Sequence, residues 1–116
     1  MRCFFEFGTY SGFPVVYITG DLDSATLPHF EECIAALCEG GNQCAILDLM
    51  DVAYSEAVVL RDVLTAHTSM MQRGQRLAVV CCAPLMNKLA HLVELDEQVP
   101  LFHSLYAAAT YLSRRC

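Results

Sequence analysis

Leu47-Asp48-Leu49-Met50-Asp51-Val52-Ala53-Tyr54-Ser55-Glu56 is the stretch that decides the fold, and Ala57, Val58, Val59 and Leu60 follow it. From Cys44 to Leu49 the chain is apolar except for Asp48. Such a near-continuous run is expected of a strand covered on both faces. Met50 to Ser55 reads as a short turn, and Ser55-Glu56-Ala57 as the start of a helix, with Ser55 as its cap and Glu56 suited to its dipole. That helix is expected from about Ser55 to Arg73. Leu60, Val63, Leu64, His67 and Met71 would line its inner side, and Gly74 would end it.

The neighbouring segments complete an alternating pattern. Phe4 to Phe7 and Val15 to Thr19 are aromatic and β-branched, and Ser11-Gly12 between them predicts a hairpin. Pro28 suits a first helical turn, and Leu27, Phe30, Ile34 and Leu37 recur at helical spacing before Gly40-Gly41. Leu77 to Cys82 reads as a second buried strand. Pro84 opens a further helix carrying Leu85, Leu89 and Leu92. Val99 to Phe102 suggests a short strand, and Ser104 caps a last helix with Leu105, Ala108 and Leu112. Together these segments predict one α/β domain over residues 1–116. Its sheet has four to five mostly parallel strands with an N-terminal hairpin, and about four helices accompany it. Sites in such sheets lie beyond the carboxyl ends of the strands, where Gly20–Thr26, Met50–Ser55 and Cys82–Pro84 gather.

Composition narrows the function. With 116 residues, 55% of them hydrophobic and 17% charged, the chain can bury a core without staples. A formal charge of −6 and only seven basic residues argue against nucleic acid as a partner. No apolar run approaches the about 20 residues of a membrane helix. The charge at Glu6 comes too early for a secretory signal, so a cytoplasmic location without membrane insertion is expected. The seven cysteines lack metal-motif spacing and sit mostly in apolar runs, which predicts buried free thiols in a reducing compartment.

Catalytic chemistry finds no support among the residues. Asp21 and Asp23 can join Glu56 above the sheet, but no third ligand or phosphate loop accompanies them, so loop and capping roles suffice. His29 and Cys33, one helical turn apart, offer half a zinc site with no other half. His67 reads as a core histidine, and no serine or cysteine nucleophile has a His and acid set. The expectation is no catalytic residue, no metal and no cofactor. Val58 and Val59 are β-branched residues in a first turn. At least one should face outward and give an apolar spot beside an acidic one, fit to seat a partner.

Several motifs resemble the STAS family, the domain of bacterial anti-sigma factor antagonists. Gly20-Asp21-Leu22-Asp23 resembles the family's Gly-Glu-Leu-Asp, and Ala25-Thr26-Leu27-Pro28 its Ala-Thr-Ala-Pro. Leu47-Asp48-Leu49 with Val52 and Tyr54 resembles its Leu-Asp-Leu-Ser-Gly-Val-x-Phe. Leu92-Val93-Glu94-Leu95, Pro100-Leu101-Phe102 and Ser104 to Ala108 fit its closing segment. The resemblance spans about Pro14 to Leu112. It places Glu56 on the family's acidic position and Ala57 on its phospho-acceptor serine, which Ala57 cannot replace. Ser55 is the weak substitute hydroxyl.

The resemblance implies partner switching: the unphosphorylated domain binds an anti-sigma factor of the serine-kinase type, and phosphorylation breaks the complex. The partner-binding face expected here comprises Asp21, Asp23, Ser24, Ser55, Glu56, Ala57, Val58, Val59, Arg61 and Asp62. One alternative is a STAS accessory subunit of a transport complex, such as a partner of a lipid-transport ABC ATPase. Another is a small thiol or metal protein, raised by the seven cysteines and four histidines. Phe4, Phe5 and Phe7 leave room for an oligomer through an apolar edge strand.

Overall fold

The computed structural model describes residues 3–39, 41, 43–85, 87–88 and 99–116, without the side chain of Cys38. It contains β1 (Cys3–Tyr10), β2 (Phe13–Leu22), α1 (Leu27–Glu39), β3 (Cys44–Ser55), α2 (Ala57–Gln72), β4 (Arg76–Cys81), β5 (Leu101–Phe102) and α3 (Leu105–Ser113). Residues 83–85 and 87–88 are also helical, whereas Leu89 and Leu92 fall outside the described residues. The five strands lie in the order β1-β2-β3-β4-β5. The β1–β2 pair is antiparallel and the other three pairs are parallel.

The hairpin turns at Ser11 and Gly12, whose φ values of 53° and 84° are both positive. Two positive φ angles give a two-residue turn the right twist to join paired strands. α2 ends as its glycine suggests. Gly74, at φ 77°, donates to the Met71 carbonyl at 3.1 Å, and Gln75 N–H reaches the Met70 carbonyl at 2.7 Å. Such a left-handed residue satisfies the last free carbonyls of a helix. Ser104 caps α3 by accepting from Ala107 N–H at 3.1 Å.

β3 separates two cores. Ala45, Leu47, Leu49 and Val52 pack with α1 and α2 residues such as Phe30, Leu60, Val63 and Met70. Cys44 and Ile46 pack on the opposite face with Ala108 and Leu112 of α3. Double coverage explains the unbroken apolar run.

Three expectations need correction. Met50–Ser55 is not a turn, because β3 continues to Ser55, paired with β2. The inner stripe of α2 uses Met70, fully buried, while Met71 is 43% exposed. A step of one residue rotates a side chain by about 100° around a helix, enough to exchange the two. The cysteines are not all free thiols either. Cys44 and Cys116 form a disulfide across a separation of 72 residues, with Cα atoms 6.5 Å apart. That Cα spacing lies within the usual disulfide range.

Asp48 is the polar interruption in the run, half-buried on the α3 side. Burial pushes its carboxyl above the usual aspartate range. The Met50 N–H, 2.9 Å from Oδ1, pulls the other way, and Asp51 adds repulsion. Folding therefore disfavours its ionised form. This cost is absent below the ordinary value near 3.8, and it grows as pH rises through the higher native one.

Three outcomes follow from this packing. Leu47→Ala should lower the unfolding free energy by about 2–5 kcal/mol in urea titrations, since it empties a site buried on all sides. Asp48→Asn, which keeps the acceptor for Met50 N–H, should raise Tm at pH 7. Its advantage should fade as pH falls toward 3.8. Thiol titration of unfolded, unreduced protein should count five of the seven cysteines, and all seven after reduction.

Candidate functional site

Two parallel strands, β2 and β3, end side by side, and their ends build the site. Asp21 pairs with Tyr54 and Leu22 with Ser55. The register shifts between Gly20 and Asp21, where Gly20 adopts a φ of 114° that glycine alone takes up readily. From there the chain turns into the loop before α1, and this loop lies against the start of α2.

Glu56 holds the two together. Its N–H donates to the Leu22 carbonyl at 2.9 Å. Its Oε1 accepts from the Ser24 N–H at 3.1 Å and from the Ser24 hydroxyl at 3.0 Å, across 32 residues of sequence. A carboxylate taking two such bonds makes a charge-assisted clasp. Asp23 and Thr26 lock the same loop from within. Asp23 N–H donates to Thr26 Oγ1 at 3.0 Å, and Thr26 N–H donates to Asp23 Oδ1 at 3.1 Å.

The structure corrects the roles of two residues. Ser55 does not cap α2. It is the last residue of β3, fully buried, and its hydroxyl donates to the Glu56 carbonyl at 3.2 Å. Glu56 is the N-cap and makes no side-chain capping bond of its own. Val59 is also fully buried, so neither Ser55 nor Val59 can meet a partner. Ala57 and Arg61 are exposed, and Val58 is 42% exposed. Asp21, Asp23 and Glu56 are half-buried beside the exposed Ser24.

Asp62 turns elsewhere. It lines a groove of about 250 Å³ between α1 and α2 with Glu31, Ile34 and Ala66. Burial raises its carboxyl above the usual range, and the Glu31 carboxyl bonded to it raises it further. Asp62 therefore keeps its proton more readily than an isolated aspartate.

Two residues at the site escaped sequence reasoning. Lys88 donates to the Ser55 carbonyl at 3.1 Å, and its ammonium lies 4.7 Å from the centre of the Tyr54 ring. Tyr54 is itself 50% exposed. A separation of 33 residues between Lys88 and Ser55 leaves no local signal. The first turn of α2 is thus flanked by an acidic clasp on one side and a cation–π pair on the other.

Other chemistry finds little here. Among the described residues, no three His, Cys, Asp or Glu side chains converge as metal ligands. His29 packs its ring 4.3 Å from that of Phe5, while Cys33 points into the core. Burial pushes the Cys81 thiol up to about 11, with Cys82 adding to it. Burial also raises Cys33, followed by Glu32. It raises Cys3 as well, followed by Asp23, Asp21 and Cys33. Thiols held in the protonated form are poor nucleophiles. Among the described residues, no helix is long and apolar enough to cross a membrane.

Known proteins share this fold. The chain is 27% identical over 101 residues to the anti-sigma-F factor antagonist RsfB of Mycobacterium tuberculosis, covering 87% of this chain and 82% of that protein. An anti-sigma factor antagonist from Mycobacterium paratuberculosis superimposes with a TM-score of 0.80 at 23% identity, over 97% of this chain and 95% of the other. Unphosphorylated SpoIIAA gives 0.71 at 15% identity, over 97% and 99%. The phosphorylated form of Bacillus SpoIIAA gives 0.67 at 16% identity, over 93% and 98%. These superpositions establish the fold. The family model for the STAS domain matches residues 5–108, so the chain belongs to the STAS domain family.

Proposed function

We propose that the chain is a non-enzymatic, cytoplasmic anti-sigma factor antagonist. It docks an anti-sigma factor of the serine-kinase type through the first turn of α2 and the loop clasped to it. The observation that carries this reading is the display of Ala57 and Val58 on an α2 start whose next residues, Val59 and Leu60, are fully buried. A small apolar surface is thereby fixed in place by the core beneath it. Glu56, Asp21 and Asp23 line one side of it with negative charge, which suits a partner bringing cations there. The name of the mycobacterial relative, matched along most of both chains, supports the sigma-factor pathway. The alternative, an accessory subunit of a transport complex, has less support because that relative carries no transport role in its name.

Ala57 bears on the regulation. In the family resemblance it stands at the acceptor serine, and an alanine side chain has no hydroxyl to receive phosphate. Position 57 itself is then held in one electrical state.

The test is binding of the purified chain to its serine-kinase anti-sigma factor, measured by calorimetry. Ala57→Glu places a carboxylate on an exposed position, leaves the core untouched, and should weaken the complex at least tenfold. An unchanged affinity would put the docking face elsewhere on the molecule.

A further inference from the structure

The geometry points to Ser24 as the phosphate acceptor of this domain, displaced from α2 onto the facing loop. This inference rests on the partner reading above. Every serine and threonine hydroxyl near the first turn of α2 has a described environment. Ala57 has none to offer. Ser55 is fully buried and bonded to the Glu56 carbonyl. Thr26 is half-buried and donates to the Asp23 carbonyl at 3.0 Å. Ser24 is exposed, and its hydroxyl already donates to Glu56 Oε1 at 3.0 Å, one residue before position 57. A partner seated on Ala57 and Val58 therefore meets the Ser24 hydroxyl on the same surface.

The chemistry suits that residue. A carboxylate within hydrogen-bond reach can accept the proton as a hydroxyl attacks. With ATP held by the kinase partner, Ser24 Oγ bonds to the γ-phosphorus while the bond to the β-phosphate oxygen breaks. ADP leaves, and the hydroxyl proton passes through Glu56 to water. The product carries roughly −1.5 to −2 charges against Glu56. It can no longer donate from Oγ, and it repels the carboxylate that the Ser24 N–H also engages. The clasp opens and the docking surface gains like charge.

The wild-type chain, Ser24→Ala and Ser24→Thr are incubated with ATP and the serine-kinase anti-sigma factor of the binding test above. Trypsin leaves Ser24 and Ser55 on one peptide, because no lysine or arginine lies between Arg2 and Arg61. Cleavage before aspartates separates them, with Ser24 in fragment 23–47 and Ser55 in fragment 51–61. The expected result is phosphate on residue 24 in the wild type and Ser24→Thr, and none in Ser24→Ala. The phosphorylated chain should bind the partner at least tenfold more weakly. Phosphate on fragment 51–61 or on Thr26, or a complex that forms yet acquires none, overturns the inference and leaves the partner reading standing. Absence of any complex overturns both.

Discussion

Burial of β3 on both faces is the constraint from which the rest of the molecule follows. Ala45, Leu47 and Leu49 serve one core and Cys44 and Ile46 the other, each nearly or wholly removed from water. Burying one leucine side chain contributes roughly 1.5–3 kcal/mol, so this half-strand ties both helical layers to a single line of residues. Past Leu49 the pattern changes. Met50, Asp51, Ala53 and Tyr54 are exposed, while Val52 and Ser55 stay buried. The strand leaves the double core but keeps one face on it, which carries its end, and the start of α2, out to the surface at a fixed height.

That projection explains why one glutamate can organise the site. Leu22 and Ser55 are neighbours in the sheet, so the next residue along β3 falls beside the loop leaving β2. Glu56 bonds to the Leu22 backbone and to both polar groups of Ser24. Backbone pairing sets the distance and the carboxylate closes it. Asp23 and Thr26 are occupied with each other, which leaves Ser24 as the loop's free partner for Glu56.

Much of this could be read in the sequence, and the misses have physical causes. Hairpin, buried strands, α1 and α2 follow from hydrophobic period and turn chemistry, which are local. The outer half of β3 is also locally encoded, but its mixed exposure resembles a turn until the pairing with β2 is known. Ser55 looked like a cap because serine is a strong N-cap former. Strand pairing with Leu22 claimed its backbone instead, and the cap moved one residue on. The Cys44–Cys116 bond and the contact of Lys88 with Ser55 span 72 and 33 residues. Neither spacing carries a periodic signal, so only the folded chain reveals them.

A switch at this place has to work through the surface, because the scaffold beneath it leaves little room to move. Val59 and Leu60 lock the first turn of α2 into the core, and β2 and β3 are paired up to Leu22 and Ser55. The part free to respond is the clasp, which rests on two hydrogen bonds to one carboxylate. The phosphate proposed for Ser24 would set roughly −1.5 to −2 charges beside the Glu56 carboxylate, well inside the Debye length of about 8 Å in physiological salt. The domain thus pairs a rigid display platform with a small polar latch, and it is on this latch that the proposed phosphate would act.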